Sequence, residues 1–176
     1  MGFFDKVFGA KTEGGPSPGE SKGFRVHEVR EKGFSIAVPE DWSTAESPAG
    51  LEAHPKECSR VKDPGTGQEI ASPGVTVTVV DILDPRQNMI KETLRLRAAE
   101  LAGYRMVNHI ASQVKNADNG VVYEFLYGPG EAPVHALGAV AQSKKRLFLV
   151  SASGTEPDFN RNRVILEAVV ASFKLL

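Results

Sequence analysis

The stretch Val121–Ser153, VVYEFLYGPGEAPVHALGAVAQSKKRLFLVSAS, decides the fold reading. It holds three apolar runs, Val121–Tyr127, Val134–Gln142 and Leu147–Ser153, each of strand length. The Gly128-Pro129-Gly130 turn and the Ser143-Lys144-Lys145-Arg146 tip lie between them. Connections this short make antiparallel hairpins, because parallel neighbours need a long crossover. A fourth strand, Tyr104–Val114, precedes them and joins through Asn116-Ala117-Asp118-Asn119-Gly120, which is turn-forming in composition.

Upstream, Val75–Leu83 (VTVTVVDIL) is β-branched almost throughout, with threonines on alternate positions. Asp84-Pro85 then reads as an N-cap with proline at the first helical position. Ile90, Leu94, Arg97/Ala98 and Leu101 recur at helical spacing, and Gly103 stops that helix. Nearer the start, Phe34, Ile36 and Val38 alternate with Ser35 and Ala37, preceded by a strand-like Phe24–Arg30. Pro39-Glu40-Asp41-Trp42 turns the chain, Trp42 covers the sheet, and Gly50–Glu57 forms a further strand. Cys58–Ser72 reads as a loop around Asp63-Pro64-Gly65-Thr66-Gly67.

Downstream, Thr155–Asp158 has the form of a capping box. A long amphipathic helix follows to the chain end and buries Phe159, Leu166, Val169/Val170 and Phe173. The expectation is an α+β domain over residues 23–176: a central antiparallel sheet of about six strands flanked by two main helices, an α/β/α sandwich.

Residues 1–22 stand apart. Lys11–Lys22 (KTEGGPSPGESK) has linker composition. Before it, Phe3, Phe4, Val7 and Phe8 share one helical face, suited to a short turn docking on a membrane, a partner or its own domain.

Composition narrows function mainly by exclusion. The 176 residues carry 21 basic and 22 acidic side chains, a net charge of −1, with 41% hydrophobic and 24% charged residues. No net field favours nucleic acid or an anionic membrane, which leaves residues 1–10 as the only expected membrane contact. Cys58 is the only cysteine, so no internal disulfide is possible. Met1–Ala10 lacks an uninterrupted apolar region of the signal-peptide kind, and the longest uncharged stretch, Ala132–Ser143, is too short to span a bilayer. The expected location is cytoplasmic.

Each chemistry-bearing residue has an ordinary structural reading. His54 and Cys58 stand four apart, but Pro55 interrupts them and a metal site needs three or four ligands. No nucleophile elbow surrounds Cys58. His27, His109 and His135 fall on separate strands without a local partner motif. Neither Gly128-Pro129-Gly130 nor Gly65-Thr66-Gly67 precedes a helix with Gly-Lys-Ser/Thr, so neither is a phosphate loop. Glu40/Asp41 belongs to a turn, and Asp81/Asp84 flanks a helix start. Lys144-Lys145-Arg146 is a solvated tip without interleaved aromatics, and Lys91, Arg95 and Arg97 read as the wet side of the first helix. No catalytic residue, no cofactor-binding residue and no metal ligand is assigned, and no cofactor is expected.

Two segments resemble a known family. Phe34–Trp42 (FSIAVPEDW) is similar to the strand, proline and tryptophan opening of the PsbP/DcrB-like superfamily. Leu147–Ser153, Pro157-Asp158-Phe159 and a helix ending Ala171-Ser172-Phe173-Lys174 are similar to its last strand and last helix. The resemblance implies a central antiparallel sheet with helices on both sides. It also implies a scaffold used to bind proteins, as in photosystem accessory subunits, small lipoproteins, a Ran-binding relative and effector chaperones, with no shared active site.

Two functional classes remain. One is a non-catalytic protein-binding, adaptor or chaperone-like module with an unidentified partner. The other is a small-ligand protein or enzyme whose pocket assembles from residues distant in sequence.

Overall fold

The computed structural model describes residues 23–110, 114–130 and 132–176. Among these described residues, twelve strands and two helices follow in the order β1 (Phe24–Val29), β2 (Phe34–Pro39), β3 (Trp42–Ser47), β4 (Gly50–Pro55), β5 (Ser59–Lys62), β6 (Glu69–Ser72), β7 (Gly74–Asp81), α1 (Met89–Glu100), β8 (Arg105–Ile110), β9 (Asn119–Tyr127), β10 (Val134–Ser143), β11 (Arg146–Thr155), α2 (Glu156–Ser172) and β12 (Lys174–Leu175). The fold class is the expected α+β arrangement. The main sheet has seven strands rather than six, ordered β3-β4-β7-β11-β10-β9-β8, and every pairing in it is antiparallel. A three-stranded sheet, β1-β2-β12, and a β5-β6 hairpin complete the fold.

The central hairpins follow the sequence reading. Ser143 pairs with Arg146 across the Lys144-Lys145 tip, and Val134 pairs with both Tyr127 and Thr155. β10 is buried from Val134 to Gln142, because both faces of the sheet are covered there. Leu137, Ala139 and Ala141 join the core beneath α2, with Phe159, Leu166 and Val169. Val134, Ala136 and Val140 join a second cluster beneath α1, with Ile90, Tyr123, Phe125 and Tyr127. Alternating side-chain direction makes one strand serve two cores.

Four local expectations are corrected. Trp42 is not a lone cover over a turn; buried, it opens β3, which pairs with β4 from Trp42↔Pro55 to Ser47↔Gly50. Cys58–Ser72 is not one loop. Its ends pair as β5 and β6, and only the Asp63–Gly67 turn behaves as the composition suggests, with Gly67 N–H donating to Asp63 O at 2.7 Å. The first helix does not start at Asp84-Pro85. Asp84 accepts from Arg86 N–H at 3.0 Å in a separate turn, and Asn88 is the N-cap of α1. The last helix stops at Ser172; Phe173 is the buried C-cap, and β12 then pairs Leu175 with Phe34.

The residues 1–22, with Phe3, Phe4, Val7 and Phe8, lie outside the described residues. No helix among the described residues is long and apolar enough to cross a membrane.

Candidate binding cleft

α1 covers only part of its face of the main sheet. Over β9 and β10 that face is aromatic and apolar. Over β4, β7 and β11 it carries Glu52, His54, Thr76, Ser151 and Ser153, which are exposed or half-buried. These residues alternate with Leu51, Ala53, Val75, Val77 and Val150, which point into the core under α2. The result is a sheet face left open beside α1.

The β5-β6 hairpin and the C-terminal turn of α1 wall this face into a cleft of about 390 Å³, a size in the lower range of small-ligand pockets. Its apolar end is formed by Ile70, Leu101, Phe125 and Tyr127. The rings of Tyr123, Phe125 and Tyr127 stack along β9 with centroids 5.2 and 5.7 Å apart. Arg97, expected on the wet side of the helix, is instead half-buried and stands 6.0 Å from the Phe125 centroid at the cleft wall.

Tyr127 borders the cleft but is not a free acid. Burial first, and then the carboxylate of Asp63, push its phenol far above the ordinary tyrosine value, so it stays neutral. Asp63 in turn fixes the hairpin tip, accepting from Gly65 N–H at 2.9 Å and Thr66 Oγ1 at 2.8 Å. The hairpin is thereby tied to the aromatic stack.

Cys58 and His54 come together without forming a reactive pair. Cys58 Sγ is 3.6 Å from His54 Nδ1, but that nitrogen is 2.8 Å from Pro55 O. A carbonyl only accepts, so Nδ1 carries its hydrogen and cannot serve as base to the thiol. His54 Nε2 faces Arg60 Nη2 at 3.5 Å. His27 and His109 lie on β1 and β8 as expected. No group of three metal-ligating side chains occurs among the described residues.

His135 gains partners that local sequence could not show. Its Nε2 lies 2.6 Å from Glu124 Oε1 across the β9–β10 pair, and Arg163 Nη2 on α2 donates to the same oxygen at 2.7 Å. The imidazole stacks on Phe159 at 3.9 Å and 9°, and the Arg163 guanidinium lies 5.1 Å from the centroid of the same Phe159 ring. The ionised carboxylate accepts only, which places the histidine proton on Nε2. Nδ1 is buried with no hydrogen-bond partner among the described residues, so no hydroxyl or thiol nucleophile meets it. This network fastens α2 to the sheet and does not border the cleft.

Comparison with known proteins assigns the scaffold. The PsbP family's sequence model matches residues 22–175. The chain belongs to the PsbP family. The solution structure of cyanobacterial PsbP (CyanoP) from Synechocystis sp. PCC 6803 superposes with a TM-score of 0.58 at 14% identity, covering 92% of this chain and 98% of that one. The crystal structure of LpqN, involved in cell envelope biogenesis of Mycobacterium tuberculosis, gives 0.53 at 13% identity, covering 87% and 90%. No curated protein matches the sequence significantly. At these identities the likeness concerns the PsbP fold and carries no residue role onto this chain.

Proposed function

We propose that this PsbP-family chain is a non-catalytic binding module that holds a segment of another protein in the cleft between α1 and the β5-β6 hairpin. One observation carries the reading: the sheet face over β4, β7 and β11 is left open and polar beside a ready-made apolar wall. An extended segment finds there hydroxyl groups that can bond its peptide units, on Thr76, Ser151 and Ser153, and a contact for one apolar side chain.

The test is capture of partners from cells with the full tagged chain, compared between two variants. Thr76→Arg fills the cleft; Val164→Arg alters α2 on the far side, where Val164 is 73% exposed. A partner lost by Thr76→Arg and kept by Val164→Arg supports the module. A partner indifferent to Thr76→Arg, or none recovered reproducibly, removes it. A cytoplasmic location, with membrane contact restricted to residues 1–10, belongs to the same proposal. Fractionation of cells carrying the chain with and without those residues checks it.

A further inference from the structure

Carboxylates outnumber cations around the cleft. Glu52, Asp63, Glu69 and Glu100 line it against Arg60 and Arg97, although the whole chain carries a net charge of only −1. The negative excess is therefore local. Neither guanidinium is paired with a lining carboxylate among the described residues. Arg97 stands 6.0 Å from the Phe125 centroid, and Arg60 Nη2 faces His54 Nε2 at 3.5 Å. Asp63 is buried and occupied at the hairpin tip, which leaves three exposed glutamates.

Those three stand on separate sides of the cleft. Glu52 belongs to β4 and pairs with Thr76, which pairs in turn with Ser151, so the three form one row across the floor. Glu69 opens β6 in the hairpin, and Glu100 ends α1, where the helix dipole adds negative charge of its own. Their side chains form no ion pair or hydrogen bond among the described residues, even though Lys62 lies opposite Glu69 in the hairpin register. Protein walls focus the field of such a set, and a cation entering the cleft relieves it. A single metal ion does not suit the arrangement, because no three of the described carboxylates, histidines or thiols converge. Charges spread in this way match cations carried on separate side chains. Between them, Ile70, Leu101, Phe125 and Tyr127 offer an apolar wall.

We infer that the segment held in the cleft is basic: an extended stretch of a partner protein with Lys or Arg side chains on either side of an apolar one. The basic groups pair with Glu52, Glu69 and Glu100, and the apolar side chain packs on Leu101 and Phe125. The inference names the chemistry of the partner and rests on the segment-binding reading for its choice of cleft.

The experiment is an amide NMR titration of the full chain with three capped peptides: Lys-Lys-Leu-Lys-Lys, its all-glutamine analogue and its all-glutamate analogue. The lysine peptide shifts the signals of Glu52, Thr76 and Ser151 and binds about tenfold more tightly than the glutamine peptide. That preference fades at about 1 M salt, where the Debye length is about 3 Å. The glutamate peptide leaves the signals unmoved. The triple variant Glu52→Gln, Glu69→Gln, Glu100→Gln keeps the folded spectrum and binds the lysine and glutamine peptides equally. Equal affinity for the wild type, a preference that survives the triple variant, or no shift at saturating lysine peptide overturns the inference. Spermine moving the same signals as tightly as the lysine peptide marks a site for free polyamines and overturns it too. Should the charge preference fail while a Thr76→Arg-sensitive partner is still captured, only this inference falls. Should the lysine peptide bind as expected and no partner be captured, the module for a stable protein partner falls and the basic-peptide site stands.

Discussion

Glu124 Oε1 and His135 Nε2 meet at 2.6 Å from adjacent strands, eleven residues apart, with both side chains buried. Burial alone would push the Glu124 carboxyl up. The hydrogen bonds and charges of Arg163 and His135 outweigh it and hold the carboxyl below the ordinary glutamate value of 4.5.

A carboxyl lowered by folding contributes stability that is complete above its unfolded pKa and lost as pH falls through its folded one. Denaturant melts of the wild type therefore lose stability as pH drops below about 4.5. Glu124→Gln has a shallower decline than the wild type over that range. At neutral pH the variant leaves Arg163 without its main acceptor and costs about 1–3 kcal/mol. Parallel wild-type and variant acid profiles would show that the network does not stabilise the ionised carboxylate.

Tyr127 gives the opposite pH dependence. Its phenol is raised by burial and by Asp63, so its contribution is present below the ordinary tyrosine value of 10.0 and declines as pH rises beyond it. Tyr127→Phe flattens the alkaline limb of the stability profile and, at neutral pH, costs about 0.5–1.5 kcal/mol through the lost bond to Asp63. Alkaline melts of the two proteins check this; an unchanged limb counts against the Asp63 contact.

Tyr123 and Gly138 form a size-matched pair. Gly138→Ala places a Cβ against the phenol and costs about 1–3 kcal/mol by overpacking. Tyr123→Phe alone is neutral or stabilising, since the removed hydroxyl has no partner. In the double variant the cost of Gly138→Ala falls, because the closest approach includes the hydroxyl as well as Cζ. Chemical denaturation of the four proteins reads the interaction, and strict additivity would deny it.

The sequence made the fold more legible than the site, for a physical reason. Val121–Ser153 announces its pairings locally: apolar runs and short turns leave antiparallel hairpins as the only arrangement. Phe159, Leu166 and Val169 likewise mark a helix face by spacing alone. β3 escaped because Trp42–Ser47 (WSTAES) is mostly polar and its outer half is exposed at the sheet edge. β5 and β6 escaped because short, half-exposed strands look like loop. The cleft and the His135 network depend on register: Glu124 meets His135, and Tyr123 overlies Gly138, only once β9 and β10 are aligned. The glycine at 138 inside an apolar run was the one local hint of a close approach.

The start of α1 supplies the last prediction, because two residues compete for the cap in sequence and only one caps in structure. Asp84-Pro85 satisfies the usual pattern, yet Asp84 Oδ1 is spent on Arg86, accepting from its N–H and its Nε at 3.0 and 3.2 Å. Asn88 Oδ1 instead accepts from Lys91 N–H at 3.5 Å, and Gln142 Oε1 from β10 takes the Met89 N–H at 2.9 Å. The Gln142 amide also donates to Gln87 O at 2.9 Å, so one buried side chain anchors the helix start on both sides. Asn88→Ala then costs about 0.5 kcal/mol, at the low end for a cap because its bond is long. Gln142→Ala costs about 1–3 kcal/mol, because it strips the Met89 donor and the Gln87 acceptor at once. Asp84→Ala leaves α1 unchanged. Hydrogen exchange at Met89–Leu94 reads the ranking: protection falls most in Gln142→Ala, less in Asn88→Ala, and stays at the wild-type level in Asp84→Ala. Loss of protection in Asp84→Ala would return the helix start to residue 84.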